Sequence, residues 1–229
     1  MNNLLIGLII VGATYVIYLA AKNIHKKVAI SFTAPVITST IIIVAILLSF
    51  EISYETYMIG GKWINELLGP AVVALAYPLY RERDVLKRLT VPILIGTTVG
   101  AVVGISTGIL LARFAGFEDL LIYSLTPKSV TTPVAMAIAE TIGGVTSLAA
   151  VFVMIAGIGG VLFSSLVYKI FRIDHRIGRG VGIGSASHAI GTSKALESSM
   201  VEGSISTIAM VVSAVVVSVI TPGLIAVLM

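Results

Sequence analysis

The chain has 229 residues, is 57% hydrophobic and only 11% charged, and carries a formal net charge of +4. Its mean hydropathy is +1.07. A soluble domain of this length has too little interior to hide that much apolar surface, whereas a bilayer hides it; an integral membrane protein is expected.

In chain order, continuous helices are predicted over about 4–21, 29–50, 89–112, 145–170 and 204–228. Leu4–Ala21 lacks a basic leader and is followed by lysines. It reads as a first transmembrane helix with its N-terminus outside, not as a cleaved signal peptide. Three further segments, 63–80, 119–142 and 181–202, carry proline, glycine and polar residues where a lipid-facing helix would carry leucine. Proline removes a backbone donor, and irregular backbone at membrane depth survives only beside protein or a water-filled cavity.

Charge orders these pieces. The basic residues gather in KNIHKK at 22–27, RERDVLKR at 81–88 and KIFRIDHRIGR at 169–179. That is the pattern of cytoplasmic loops and does not suggest a nucleic-acid surface. The loop at 51–62 and the stretch Arg113–Asp119 then lie outside. Helix 145–170 alone makes the next crossing, so 119–142 crosses an even number of times. A re-entrant hairpin with its tip near 125–132 is the economical solution. Shifted by 60 residues, Lys128 falls on His188, Thr132 on Thr192 and Ala135 on Ala195. Two inverted copies of one unit are therefore expected, with chance identity among small residues as the competing explanation.

The polar chemistry concentrates in the two later broken segments. LTPKSVTTPVAMAIAE, 125–140, packs a lysine, a serine, three threonines and two prolines into nine residues. Thr132 reads as an N-cap and Pro133 as the first residue of a half-helix whose free N–H groups suit an anion. Lys128 adds a full positive charge, and Ser129, Thr131 and Thr132 add hydroxyls. A lysine at membrane depth costs about 2.5–3.5 kcal/mol on insertion scales, so it is rarely idle there. The bland alternative is a snorkelling lysine beside a simple turn. GIGSASHAIGTSKALESS, 182–199, repeats the theme with Ser185, Ser187, His188 and Thr192, the last as a helix cap. His188 is either a proton-coupling group or a packed, hydrogen-bonded ring. Lys194 and Glu197 are spaced to pair. Glu140 and Glu202 are either proton carriers or solvated interfacial carboxylates, the solvated reading being preferred.

No enzyme is expected. Ser187 and His188 are adjacent and lack an acidic orienter. No HExxH or Walker sequence and no paired Cys/His signature is present, and there are no cysteines, so neither metal nor cofactor is expected.

LTPKSVTTPVAMAIAETIGG and GVGIGSASHAIGTSKALE strongly resemble the two signature segments of the LrgB/CidB membrane protein family, and the order of hydrophobic elements matches over nearly the whole chain. The resemblance implies small carboxylates such as pyruvate, glycolate or glycerate as substrates, because the family includes the C-terminal part of a plastid glycolate/glycerate transporter. It also implies a small LrgA/CidA-type holin-like partner, and an antiholin-like role in murein hydrolase export and lysis.

The combined expectation is an all-α, multi-pass protein of the cell membrane with about six or seven transmembrane helices plus two broken or re-entrant segments. Residues 1–117 would form a scaffold and oligomerisation part, with GLIIVGATY packing a homodimer, and 118–229 a paired-motif core. The main functional expectation is a monocarboxylate transporter using Lys128, Ser129, Thr131, Thr132, Ser185, Ser187, His188 and Thr192, with proton coupling or ion pairing at His188, Lys194, Glu197 and Glu140. The alternative is an antiholin-like regulatory subunit of a holin-type pore.

Overall fold

The computed structural model describes residues 3–28, 33, 35–67, 70, 73, 76–81 and 83–229. The expected interruption at 63–80 falls partly outside these residues. Among those described the chain is all-α, with ten helices: α1 (Asn3–Val28), α2 (Pro35–Ser49), α3 (Tyr54–Glu66), α4 (Ala76–Arg81), α5 (Arg83–Phe114), α6 (Asp119–Leu125), α7 (Thr132–Thr141), α8 (Thr146–Ile170), α9 (Arg176–Ser198) and α10 (Met200–Leu228). Among the described residues four stretches are long and apolar enough to span a bilayer: α1, residues Lys87–Phe114 of α5, α8 and α10. The apolar stretch of α2, Ile37–Ser49, is shorter.

The chain forms two compact units, Met1–Val73 and Ala74–Met229. In the first, α1 packs on α2 and α3. A Cβ on Gly60 would lie 2.6 Å from the Gly7 carbonyl oxygen, and one on Gly7 would lie 2.6 Å from Trp63 Cη2. These two glycines let α1 and α3 touch backbone to backbone. Gly7 of the small-residue stretch is thus used within the chain, while Gly12 meets nothing within 4 Å. The stretch 51–62, expected as a loop, is largely helical from Tyr54. Ser53 caps α3 through the Thr56 amide at 3.2 Å. Gly60 is thus the packing surface for α1, whereas a Cβ on Gly61 would meet Met58 and Tyr57 of its own helix.

In the second unit, α10 is the most enclosed helix, buried at intervals from Glu202 to Thr221. The core joins Ala101, Ile105, Ile109 and Ala112 of α5 to Ile122, Val130, Ala135, Ile138, Val153 and Val217. The Arg113 guanidinium donates to the Leu228 carbonyl, tying the C-terminal ends of α5 and α10 together.

Both later polar segments are hairpins. In the first, α6 and α7 flank a break at 126–131. Ser124 Oγ accepts from the Val145 amide at 2.8 Å, so the chain between them leaves and returns to one point. In the second, His188 interrupts α9 with φ 42 and ψ −132. Before it, a Cβ on Gly180 would sit 2.7 Å from the Glu202 carbonyl oxygen, and Gly184 lies on the Ser206 backbone. That half runs in the same sense as α10. Beyond it, Thr192 meets Ser206 and Leu196 meets Gly203, so the second half runs back. Gly191 touches Ser187 and Ile183, closing the two halves on each other.

Candidate functional site

The wall that joins the two hairpins is a glycine face of α5. Gly96, Gly100, Gly104 and Gly108 recur every fourth residue and so share one side of the helix. Built Cβ atoms on them would lie 3.0 Å from Val181 Cγ1, 3.7 Å from Ser185 Oγ, 3.8 Å from Ser129 Oγ and 2.5 Å from Lys128 Nζ, in that order. The second hairpin therefore ascends α5 from its N-terminal side. The first descends from the α5 C-terminus, where α6 follows Phe114. They enter from opposite ends, and Ser185 and Ser129 stand opposite successive glycines in the middle of the helix.

Lys128 is half-buried, and its ammonium donates to the Gly104 carbonyl at 3.1 Å. A helix carbonyl four residues from its usual amide partner is reachable only because no side chain covers it. The ion pairs among the described residues are Arg179–Asp174 and Lys194–Glu197, so no carboxylate neutralises Lys128 there. Thr131, not Thr132, is the N-cap of α7, with φ −65 and ψ 149, and Pro133 falls at the second helical position. Thr131 makes no capping bond, and its hydroxyl is buried without a partner. Helix geometry leaves the Thr132 and Val134 amides without intrahelical acceptors, and Pro133 has no amide to satisfy.

At the second tip, Ser187 is 1% exposed and its hydroxyl has no partner. It packs on Gly160 of α8. His188 lies against Gly157, and its Nε2 is 3.0 Å from the Val153 carbonyl. A carbonyl only accepts, so Nε2 carries the proton in this contact. Ser185 donates to the Val181 carbonyl at 2.7 Å. Thr192, expected as a cap, lies inside the returning half-helix, 2.8 Å from Ser206 Oγ. The structure thus gathers Lys128, Ser129 and Ser185 along α5, turns Ser187 and His188 toward α8, and commits Thr192 to α10.

The remaining expected residues lie elsewhere. Lys194 and Glu197 form an ion pair at 3.3 Å, 39% and 54% exposed. Glu140 is exposed. Glu202 is 7% exposed, which corrects the solvated reading: it sits in the first turn of α10, where Ser199 Oγ receives its amide. Sequence reasoning missed the α5 glycines and the paired Gly157 and Gly160 of α8. The signal for the α5 glycines, four-residue spacing in VPILIGTTVGAVVGISTGIL, was present.

An unpartnered buried hydroxyl costs about 1–3 kcal/mol. The described residues hold three, on Thr131, Ser187 and Ser213, and two of them belong to these hairpins. One of these lies in the first hairpin, three residues from Lys128, and the other at the tip of the second, against α8. That combination defines a multi-span α-helical membrane protein with paired broken hairpins. The chain belongs to the LrgB-like family, whose model matches residues 14–227. It is 49% identical over 215 residues to the uncharacterized protein YxaC of Bacillus subtilis (strain 168), covering 94% of each chain. To YwbG of the same organism, also uncharacterized by name, it is 39% identical over 210 residues, covering 92% of this chain and 93% of the relative. To the holin-like protein CidB of Staphylococcus aureus (strain N315) it is 34% identical over 225 residues, covering 98% of each. No solved structure matches the chain significantly.

Proposed function

We propose that this chain is a holin-like membrane protein whose two hairpin tips form a permeation site for small organic anions. The relatives' name, holin-like protein CidB, supports the first half of this reading. One observation carries the second half: among the described residues the Lys128 ammonium is held only by the Gly104 carbonyl, a few residues from the orphan Thr131 hydroxyl and the start of α7. Amides at a helix start, a hydroxyl and an ammonium are the donor set a carboxylate needs. The opposite entry of the two hairpins, sixty residues apart in sequence, supports the inverted-repeat arrangement in which such sites lie near the bilayer midplane. In that setting the four long spans and α2 supply five of the expected six or seven crossings, and the hairpins are the two re-entrant segments.

The permeating anion is a monocarboxylate of the pyruvate, glycolate or lactate kind, with His188 as the group available for proton coupling. A second reading is favoured by the relatives' name. In it the chain is an antiholin-like regulatory subunit of a holin-type pore in the cell membrane. It acts with a small LrgA/CidA-type partner and controls murein hydrolase export and lysis, and the hairpins serve only as packing.

Uptake of labelled pyruvate, glycolate and lactate into proteoliposomes separates the two, with and without the small partner and a pH gradient. Saturable uptake that Lys128→Met and Thr132→Val diminish, with the fold intact by circular dichroism, supports the anion site. Leakage of unrelated solutes that is indifferent to Lys128→Met supports the pore-regulator reading and overturns the site.

A further inference from the structure

The basic loop between α8 and α9 takes no part in the site above, yet it is built around a cavity. Ser165, Tyr168, Lys169, Arg172, Asp174 and Arg179 line a cleft of about 410 Å³. Three cations face one carboxylate. Arg179 is occupied: its Nε donates to the Ile173 carbonyl at 2.7 Å, its Nη2 reaches Asp174 at 3.5 Å, and its guanidinium lies 5.2 Å from the Tyr168 ring centre. Tyr168 in turn donates to the Arg179 carbonyl at 3.1 Å. These contacts fix the cleft wall. Lys169 and Arg172 are exposed and, among the described residues, have no carboxylate partner. Arg172 ends the helix with φ 51, a left-handed conformation that glycine adopts at lower cost.

The cleft sits where the apolar span α8 ends. On the flank of α8 next to Lys169 the helix exposes Leu166 and Ile170, and Phe171, just past its end, is 70% exposed. A cationic pocket with two hydroxyls, continuous with an apolar face, matches an amphiphile better than a free ion. We propose that this cleft binds the phosphate headgroup of an anionic phospholipid, with Lys169 and Arg172 on the phosphate and the acyl chains along the α8 face. Basic pockets at the cytoplasmic ends of transmembrane helices recognise such headgroups, each cation contributing about 1 kcal/mol. The site is independent of what permeates at the hairpin tips.

The test is native mass spectrometry of the delipidated full chain titrated with phosphatidylglycerol or phosphatidylcholine. Phosphatidylglycerol should bind preferentially, and Lys169→Gln with Arg172→Gln should weaken it about thirty-fold, two cations' worth. Lys169→Gln alone, an exposed helix-end change that leaves the backbone untouched, should weaken it about five-fold. Phosphatidylcholine binding should not change, and neither should phosphatidylglycerol binding to Lys22→Gln/Lys27→Gln. Three results would overturn the proposal: equal binding of both lipids, an equal loss in the α1 variant, or competition by millimolar inorganic phosphate that binds as well on its own. The last would mark a soluble-anion site.

Discussion

An alanine at Gly108 would place its Cβ 2.5 Å from Lys128 Nζ. The ammonium is the far end of a flexible chain, so it moves and the backbone does not. Alanine also gains about 0.8–1 kcal/mol of helix propensity over glycine. Gly108→Ala is therefore expected to keep or raise the melting temperature while displacing the cation and cutting anion uptake about tenfold, one charge-assisted contact's worth. Uptake unchanged by Gly108→Ala but lost in Lys128→Met would show that the cation need not sit where it does. Gly184→Ala should behave in the opposite way. Its Cβ would come 2.9 Å from Ser206 Cα, and a helix backbone cannot step aside. Overpacking of this kind costs about 1–3 kcal/mol, so the loss should appear in thermal stability before activity. A Gly184→Ala protein that melts at the wild-type temperature would refute the close packing of α9 on α10.

The hairpins are the elements most legible in the sequence, for a physical reason. TPKSVT and the glycine–serine run before His188 carry the residues that end helices, and a membrane chain tolerates such residues only where the backbone turns inside protein. The 60-residue register aligns positions of the two hairpins. It sets Lys128 on His188, the two tip residues, and Ala135 on Ala195, both buried. It blurs where the copies diverge: Gly143 ends α7 with φ 84, whereas Gly203 packs inside α10 against Leu196. Caps were legible only to within a residue, because Thr131 and Thr132 carry the same side chain. The helix α3 was not legible, since two glycines and three charged residues look like a loop until α1 lies against them. Glu202 was misread because charge suggests solvent, while burial is decided by the neighbours α10 acquires. Cysteines at Phe117, Glu140, Asp174 and Ser198 test the hairpins in this naturally cysteine-free chain. Phe117→Cys and Glu140→Cys should react with an impermeant thiol reagent from one side of the membrane, and Asp174→Cys and Ser198→Cys from the other. Opposite labelling within either pair would mean that the segment crosses.

For the whole molecule, the question is whether the tips stay fixed on α5. The four glycines give α5 a smooth face, and the hairpins touch it through side chains of modest size, Val181, Ser185 and Ser129, and through the Lys128 ammonium. Few contacts of this kind interlock, so sliding or rocking along the face disrupts little packing. Repeats that rock about a shared site are how inverted-repeat carriers expose it alternately to each side. A Cβ on Gly100 would stand 3.7 Å from Ser185 Oγ, with Ser185 Cβ beyond 4 Å, so a disulfide between cysteines at the two positions is within reach of a small side-chain shift. Gly100→Cys/Ser185→Cys is expected to form the bond under an added oxidant, detected as a cross-linked peptide pair. If the tips move, oxidation should stop anion uptake and a reductant should restore it, while each single cysteine variant remains active under both conditions. Uptake that continues in the cross-linked protein would mean that the second hairpin and α5 act as one rigid wall. The moving part would then have to lie at the first hairpin, where Lys128 is the only charged group holding the tip to the helix.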